Sequence, residues 1–382
     1  MKMYRFIAVL LVSVLLLCAC AGCSDKETSG EFRVGVVAVT SGELFRKGNY
    51  IITAARYAAN KVNNDGGVKF SGQHYKVKLF PADSNGDAET AAKVARRLIE
   101  KDKVSAIVGA AGSLVALAVA KVCEEHNVPF ITPVAGTNKL TSFKYSFRVS
   151  YTNTVQGEAL ALFALKDLKG KDVGVLFAAS SPYSAELARL FKKDYIKGGG
   201  RVSAFESYAA GQRDFSIQLK KIIKSGARIL FLPNNTKMVQ LQVAQARKLG
   251  FDGILLGGDL WDPIELQRNS LFKNSYYTDH WIPGLPIEGA AEFEKDYKKA
   301  NGVEPSELEA LTYDAVMSLF AAVKIAGTVN PVAIHDALVD MPPFHGVTGT
   351  FDYNNNGDPD KDVIISTFRD GYIAVQEIID LK

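Results

Sequence analysis

Two loops of small residues have the composition expected of an anion-binding site. Ala110-Ala111-Gly112-Ser113 follows an apolar run that ends at Gly109 and opens a helical pattern at Leu114. Unpaired backbone N–H groups at the start of a helix, together with the Ser113 hydroxyl, suit a carboxylate; alternatively, Ser113 only caps the helix. The second loop follows Pro133 and offers main-chain donors and one hydroxyl, through Val134, Ala135, Gly136 and Thr137.

An acidic and an aromatic residue come together after another apolar run. Asp259 and Trp261 follow the segment that ends at Leu256-Gly257. An ammonium group would bind well there, because a carboxylate accepts charge-assisted hydrogen bonds and an indole ring offers a cation–π face. Either acid of this loop could instead cap the next helix, and we assign that role to Asp262.

These residues act together only if the fold brings strand ends to one edge. From Phe32 onward, short apolar runs alternate with longer amphipathic ones, which is typical of β–α units that feed a parallel sheet. Ligands of open α/β sheets bind outside the carboxyl ends of the strands. Tyr183, after the apolar run that ends at Phe177, lies either at this edge or in a surface turn.

The strand and helix units fall into two sets, which predicts an α/β fold of two doubly wound, parallel-sheet lobes. The first set ends near Val149, and the C-terminal third adds helices and then strands. If C-terminal elements join both lobes, the chain must cross between the lobes more than once. Several crossings form a multi-strand hinge. We expect residues 31–149 and 279–348 in the first lobe and residues 150–278 and 349–382 in the second.

The composition is that of a globular protein without a nucleic-acid partner. Of 382 residues, 47% are hydrophobic and 23% are charged, which is enough for a sizeable core and two domains. The formal net charge of +4 is close to balance and gives no support to nucleic-acid binding.

The N-terminus has the layout of a secretory leader. Lys2 and Arg5 precede the apolar run Phe6 to Leu17, which ends in small residues and cysteines. Ordinary cleavage, lipoprotein processing and an uncleaved anchor helix all remain compatible with this layout.

Lipoprotein processing is favoured by the residues around the cysteines. Leu17-Cys18-Ala19-Cys20 resembles a bacterial lipobox, which predicts a lipoprotein signal peptide over residues 1–23. The lipid would be attached to Cys20 or, alternatively, to Cys23. We therefore expect an exported, periplasmic or cell-surface lipoprotein that is tethered to a bacterial membrane.

The sequence argues against an enzyme, a cofactor and a metal site. It has no Gly-x-Ser-x-Gly elbow, no HExxH motif and no phosphate-binding loop, and its five histidines form no ligand-spaced pair. Residues 352–358 imitate the start of a calcium loop, but position twelve is Val363 and not a bidentate acid, so we expect a hairpin turn. Cys123 lies in an apolar helical pattern and is expected to be a buried structural thiol.

From residue 32 to about residue 379 the chain resembles the leucine/isoleucine/valine-binding class of type I periplasmic binding proteins. The resemblance depends on the order and spacing of many short landmarks. They are Gly42 to Gly48, Val62-Asn63 to Gly66-Gly67-Val68, Asp83 to Asp87, Val108-Gly109 with Ser113, Val128-Pro129 to Pro133, Phe147-Arg148 with Gln156-Gly157, Tyr183, Asp214-Phe215, Gln245-Ala246-Arg247 to Gly250, and Gly349 with Phe351 to Gly357-Asp358.

The resemblance implies a flytrap mechanism, in which a solute docks on the first lobe and the second lobe closes over it. The implied solute is an amino acid, branched-chain or related, and the implied partners are the permease subunits of an ABC importer. The binding protein itself is expected to be a monomer. Ser113 and the loop of Val134 to Thr137 correspond to the grip on the α-carboxylate. Asp259 corresponds to the acid for the α-ammonium, and Tyr183 to an aromatic of the cleft.

Three positions depart from the family pattern and bear on specificity. Gly136 stands where relatives usually have a hydroxyl, so Thr137 or backbone N–H groups would have to serve. Lys47 stands where an aromatic residue is common; in the cleft it would favour a ligand with a second acidic group, whereas in solvent it carries no information. Asn235, within Asn234-Asn235-Thr236, stands where some relatives have tyrosines and makes the wall of the second lobe more polar.

The fold leaves one other function open. Proteins of this fold can also present a ligand to a membrane receptor or regulator, so a ligand-sensing receptor for a non-amino-acid carboxylate or another small solute is the alternative hypothesis.

Overall fold

The computed structural model describes residues 30–41 and 45–381, without the side chains of residues 46 and 47. The predicted leader, Cys20, Cys23 and the side chain of Lys47 lie outside the described residues. The strands are β1 (Gly30–Ala38), β2 (Val68–Phe70), β3 (Gln73–Asp83), β4 (Ala106–Gly109), β5 (Phe130–Thr132), β6 (Ser146–Arg148), β7 (Val173–Ala178), β8 (Val202–Tyr208), β9 (Ile229–Leu232), β10 (Ile254–Gly257), β11 (Ser275–Asp279), β12 (Phe344–Gly346), β13 (Gly349–Phe351), β14 (Val363–Arg369) and β15 (Tyr372–Ile379).

The helices alternate with the strands over the first two thirds of the chain and follow one another in the last third. They are α1 (Phe45–Asn64), α2 (Ala88–Glu100), α3 (Ser113–His126), α4 (Asn153–Lys166), α5 (Pro182–Lys197), α6 (Ser216–Lys224), α7 (Thr236–Lys248), α8 (Pro263–Leu266), α9 (Ala290–Asn301), α10 (Glu307–Ala326) and α11 (Pro331–Val339), with 3₁₀ turns at Asn138–Ser142 and Ser270–Phe272.

The first lobe is built on a six-stranded sheet of order β2-β3-β1-β4-β5-β6. β1, β3, β4, β5 and β6 are parallel, and β2 pairs with β3 as an antiparallel hairpin. Helices cover both faces, because Val34 and Val36 of β1 belong to one core cluster and Val37 belongs to another. Burial on both faces explains why these strands read as nearly continuous apolar runs.

The second lobe is built on a seven-stranded sheet of order β15-β14-β11-β10-β9-β7-β8. Its strands are parallel from β8 to β11, and β14 and β15 are added in antiparallel orientation. Val175 and Leu176 of β7 again enter different core clusters on the two faces. The predicted fold class, two doubly wound α/β lobes, is therefore confirmed.

The chain crosses between the lobes three times. The first crossing follows β6, the second follows β11, and the third lies between β13 and β14. Between the second and third crossings, α9, α10 and α11 return to the first lobe, where Phe293, Leu319 and Ile334 join the core cluster of Val34. The β12–β13 hairpin also packs on α10, so the third crossing begins after Phe351, slightly later than the expected boundary at residue 348.

A buried ion pair joins the first and third crossings. The Arg148 guanidinium lies 2.6 Å from the Asp358 carboxylate, and only 1% of the Arg148 side chain is exposed. The Arg148 amide donates to the Gly357 carbonyl, and Gly357 has a φ of +72° at a place where a Cβ would overlap the Ser146 carbonyl oxygen. The segment that imitates a calcium loop is thus a turn whose last carboxylate binds an arginine.

Several helices begin at the side-chain caps that the sequence predicts. Asp87 accepts a hydrogen bond from the Thr90 amide at the start of α2, and Asp262 accepts from the amides of Ile264 and Glu265 at the start of α8. Such caps satisfy backbone donors that have no partner within the helix.

Within residues 30–41 and 45–381, no single helix is both long enough and apolar enough to cross a bilayer. Helices α10 and α11 reach that length and composition only as a pair, which bends by 104° at its junction.

Candidate functional site

A cavity of about 350 Å³, here called the cleft, lies between the two lobes. Loops after β4 and β5 line it from the first lobe, and loops after β7, β9 and β10 line it from the second. Of the predicted ligand-binding residues, Ser113, Val134, Tyr183 and Asn235 line the cleft.

The start of α3 forms one wall of the cleft. Gly112 is the N-cap residue, with a φ of +100° and no side-chain cap, and Ser113 is the first helical residue. The first bond of this helix is donated by Ala116 to Gly112, so the amides of Ser113, Leu114 and Val115 have no partner within the helix. The structure therefore removes the capping interpretation of Ser113 and leaves a helix N-terminus facing the cleft.

The second predicted loop contributes less to the cleft than the sequence suggests. Val134 lines the cavity, whereas Ala135 and Thr137 are fully buried beneath it. Arg148 donates to the carbonyls of both, at 2.9 Å each, and holds the loop in place. The Thr137 hydroxyl caps the following 3₁₀ turn by accepting from the Lys139 amide, so it is not the replacement hydroxyl that the sequence analysis considered.

The glycine at the position of a family hydroxyl has a local explanation. Asn153, at the start of α4, is fully buried, and its backbone N–H donates to the Gly136 carbonyl at 2.7 Å. A Cβ at Gly136 would overlap the Asn153 Oδ1 atom. The Asn153 Nδ2 atom in turn donates to Glu186 at 2.8 Å. The side chain of Asn153 therefore occupies the space that a larger residue at position 136 would need.

Asp259 is a buried carboxylate with one unused oxygen. Its side chain is only 5% exposed, and its Oδ2 atom lies 3.0 Å from the His280 Nε2 atom. Burial lowers the pKa of His280 although Asp259 acts in the opposite direction, so the imidazole is neutral and donates from Nε2. The Asp259 Oδ1 atom has no hydrogen-bond partner among the described residues. This oxygen is thus a buried acceptor that lacks a donor.

Two tyrosines surround this carboxylate. Burial and the nearby Asp259 raise the pKa of Tyr183 and the pKa of Tyr151 well above the usual value, so both phenols are neutral. The Tyr151 ring packs on His280 with centroids 3.7 Å apart, and the buried Tyr183 hydroxyl lies beside Asp259 and Gln156 without a hydrogen bond of good geometry to the described chain. His280 and the two phenols are therefore neutral neighbours of Asp259, and none of them supplies a countercharge.

The structure places Trp261 outside the lining of the cleft. Its side chain is buried in the core of the second lobe, stacks on Tyr277 and donates its Nε1 hydrogen to the Leu232 carbonyl at 3.1 Å. It therefore supports the wall of the site and does not present a free ring face to the cleft. Asn235 is exposed at the cleft edge, where its side chain caps α7 by accepting from the Met238 amide.

A second cavity of about 150 Å³, here called the chamber, shares no lining residue with the cleft. Apolar side chains from both lobes form most of its wall, among them Trp281, Ile282, Leu308, Trp261, Ile264 and Ile373. The acid that is expected to bind an ammonium group therefore lines the chamber, and its neighbour Leu260 lines the cleft.

A pair of acidic residues joins the lobes beside the chamber. Asp279 ends β11 in the second lobe, and Glu307 begins α10 in the first. The His280 amide donates to both carboxyl groups, at 3.1 Å and 2.7 Å. Burial raises the pKa of Asp279 to about 7 and the pKa of Glu307 well above its usual value, so the two acids hold a proton in common at neutral pH.

The residues that sequence reasoning missed follow β11. Asp279, His280 and Trp281 stand at a strand end, where ligand-site residues are expected, but the strand itself was not predicted. Ser275 to Asp279 contains no apolar run, and its tyrosines and threonine are residues that also favour strands. The β propensity of this segment is the signal that could have located them.

The chain matches known proteins over most of its length. A family model described as periplasmic binding protein matches residues 31–372. A Leu/Ile/Val-binding protein homolog of Brucella melitensis is 27% identical over 338 residues, which cover 86% of this chain and 88% of the relative.

Two solved structures share the fold at 25% identity or more. A leucine-binding protein from Thermotoga maritima is 29% identical, with a TM-score of 0.85 and coverage of 91% of this chain and 99% of the other. A branched-chain amino acid transporter substrate-binding protein from Streptococcus pneumoniae, solved in complex with isoleucine, is 26% identical, with a TM-score of 0.82 and the same coverage. This chain therefore belongs to the periplasmic binding protein family, as a type I member of its leucine/isoleucine/valine-binding class.

Proposed function

We propose that this protein is the extracytoplasmic solute-binding component of an ABC importer and that it captures an amino acid, branched-chain or related, between its lobes. The relatives support transport and not catalysis, since their names describe binding proteins for leucine, isoleucine and valine. The finer parts of this proposal, the class of ligand and closure of the lobes, depend on the geometry of the site.

The unpaired oxygen of Asp259 is the observation that carries the proposal. A buried carboxylate without full hydrogen bonding is costly, and an ammonium group would relieve that cost through a charge-assisted bond. In the first lobe, the amides of Ser113, Leu114 and Val115, which have no partner within the helix, face the cleft and suit a carboxylate. Groups of opposite polarity on the two lobes match the two ends of a zwitterion.

Closure of the lobes follows from this division. The carboxylate grip belongs to the first lobe, while Asp259 and Tyr183 belong to the second, so one ligand satisfies both only when the lobes approach. The three crossings allow such a motion, and the closed pair of lobes is the form that a permease would recognise. Attachment to the membrane through Cys20 or Cys23 and action as a monomer complete the proposal.

The decisive variant is Asp259→Asn, which keeps the shape and removes the charge. We expect titration calorimetry with leucine, isoleucine and valine to show a loss of about 2 kcal/mol or more, which corresponds to about 30-fold in affinity. Asp252→Asn, at an exposed position of the same lobe, is the matched control and should bind like the wild type.

If Asp259→Asn keeps its melting temperature and binds the amino acids with wild-type affinity, Asp259 does not hold the ammonium group. If the wild type binds none of the amino acids but binds carboxylates without an amine, the ligand class is wrong.

A further inference from the structure

We propose that the outer edge of the second lobe binds a linear polyanion of the cell envelope, a polymer that carries phosphate groups in series. The outer edge is the set of connections that lead into the five parallel strands of the second sheet, at residues 166–172, 197–201, 224–228, 248–253 and 273–274. This surface is separate from the cleft, and its proposed role goes beyond the capture of a solute.

The outer edge lies on the opposite side of the second sheet from the cleft. Loops that follow β7, β9 and β10 line the cleft, whereas these connections precede the same strands. Hydrogen bonds join neighbouring connections, since the Arg228 amide donates to the Asp172 carbonyl at 2.8 Å and the Arg228 carbonyl accepts from the Ile254 amide at 2.9 Å. Neighbouring strands are about 4.8 Å apart, so the five connections form one row about 19 Å long.

Exposed cations are concentrated on the outer edge. Its connections carry nine lysine and arginine side chains, all of them exposed, against three acidic residues. Arg201, which pairs with Asp172, is the one cation of the nine that forms an ion pair within the described chain. Nine cations against three acids is a larger excess than the net charge of +4 of the whole chain. The positive charge of the protein is therefore segregated to this surface.

The equivalent edge of the first lobe has no such excess. Its connections, at residues 64–67, 100–105, 126–129 and 142–145, carry three lysines and three acidic residues. The helix dipole favours cations at helix C-termini, but it acts on both lobes alike. Five of the nine cations of the outer edge also lie beyond the last residue of a helix. The helix dipole therefore does not account for the outer edge.

The arrangement of these cations matches a linear polyanion. Each of the five connections carries at least one lysine or arginine, so positive charge recurs along the row at the spacing of the strands. A polymer with phosphate groups in series holds condensed counterions, and protein cations that replace them release them to the solvent, which drives binding. Seven of the nine cations are lysines, whose flexible point charges bind phosphate without a fixed geometry.

The location of the protein selects the source of the polyanion. Periplasmic binding proteins act outside the cytoplasm, which excludes a nucleic acid as the partner. β1 begins at Gly30 on the amino-terminal edge of the first sheet, so the segment before it joins the protein at the opposite end from the outer edge. Nine residues between Cys20 and Gly30 span at most about 30 Å. A membrane that holds Cys20 is therefore near the first lobe, and the outer edge points away from it.

Binding is measured with long-chain inorganic polyphosphate as the probe. We expect the protein to bind polyphosphate at low salt and to lose about 10-fold or more in affinity between about 50 mM and about 200 mM salt. Vesicles of phosphatidylglycerol and phosphatidylcholine provide the comparison. Binding to the vesicles but not to polyphosphate would show that the surface takes a membrane, and binding to neither would show that it takes no polyanion; either result overturns the proposal.

A triple variant of the outer edge tests the location. Lys171→Glu, Arg228→Glu and Lys273→Glu together reverse cations of three connections and should weaken polyphosphate binding by about 10-fold or more. Melting temperatures show whether this variant folds. If it does not, glutamine at the same three positions replaces it, with an expected loss of about 3-fold or more.

The matched control changes the same number of charges on the other lobe. Lys101→Glu, Lys103→Glu and Lys144→Glu are exposed positions of the equivalent edge and should together weaken polyphosphate binding by less than about 3-fold. Equal losses in the two triple variants would show that binding follows the net charge and not the outer edge, and the proposal would be wrong.

Discussion

At the scale of single residues, the site is organised around buried polar atoms that lack partners. The Asp259 Oδ1 atom, the Tyr183 hydroxyl and the Gln156 Oε1 atom are all buried and unsatisfied within the described chain. Each such atom costs free energy in the unliganded protein. A ligand that supplies donors to these atoms would recover this cost, so the atoms would contribute to its binding affinity.

The contact between Gly136 and Asn153 leads to a test of this local packing. Gly136→Ala should destabilise the protein by about 1–3 kcal/mol, because the new methyl group overlaps the Asn153 Oδ1 atom. Asn153→Ala removes that atom and should reduce the additional cost of Gly136→Ala to near zero. Urea unfolding of the two single variants and the double variant measures the coupling. Additive effects would show that the overlap is relieved elsewhere.

Strand-end reasoning located these residues but not the direction of their side chains. Ser113 and Tyr183 line the cleft, while Thr137 is buried and Trp261 packs in the core and lines the chamber, although they come from the same kinds of loop. Whether a loop side chain faces a cavity depends on partners such as Arg148 and the Leu232 carbonyl, which are distant in sequence. The ligand-binding roles of the cleft residues remain predictions until binding is measured.

At the scale of elements, the junction of β11 and α10 makes the protein sensitive to pH. Asp279 and Glu307 come from different lobes and share the amide of His280. Two carboxylates in one buried place cannot both ionise without strong repulsion. The junction is therefore most stable when at least one of the acids is protonated.

The variant Asp279→Asn tests this junction. The pKa of Asp279 is raised to about 7 in the folded protein, against about 4 in an unfolded chain. Between these values the folded state holds a proton that the unfolded state has lost, so the pair's contribution to the free energy of unfolding falls as pH rises. Relative to wild type, Asp279→Asn should become progressively more stable from about pH 4 to about pH 7. Urea unfolding at several pH values measures this, with Asp252→Asn as the control; parallel pH profiles would contradict it.

The elements themselves were largely predictable, with one informative exception. The apolar runs Ile229–Leu232 and Ile254–Gly257 are strands, as predicted. Strands that are covered on both faces of a parallel sheet are apolar along their whole length, so such runs identify them. β11 was missed because its residues are polar or aromatic, and with it the residues around Asp259 were missed. Cys123 is buried and burial raises the pKa of its thiol, in agreement with its predicted structural role.

At the scale of the whole molecule, binding should change the shape of the protein. The two ends of the proposed ligand are held by different lobes, so occupancy favours the conformation in which the lobes are close. In small-angle scattering, the radius of gyration should fall when a bound amino acid is added in excess. Asp259→Asn should show no fall at the same ligand concentration. An unchanged radius for the liganded wild type would contradict lobe closure.

The two-lobed architecture was the most predictable feature, and the third crossing was the least. Alternating patterns report local pairing, whereas the boundary near residue 348 depends on the β12–β13 hairpin packing against α10 of the first lobe. A packing contact between segments that are far apart in sequence leaves little trace in local composition.

The three crossings have a consequence for the order in which the chain can fold. The first sheet starts at Gly30, yet its core contains Leu319 and Ile334, and the second sheet ends with β14 and β15. One face of each sheet therefore lacks part of its core until the C-terminal third has left the ribosome, whereas the clusters on the other faces are made of residues up to Leu140 and up to Tyr277. Contacts at such long range form slowly, because much loop entropy is lost before they stabilise anything. We expect a nascent chain of this topology to complete its fold only late in synthesis, which suits a secretion channel that requires unfolded polypeptides.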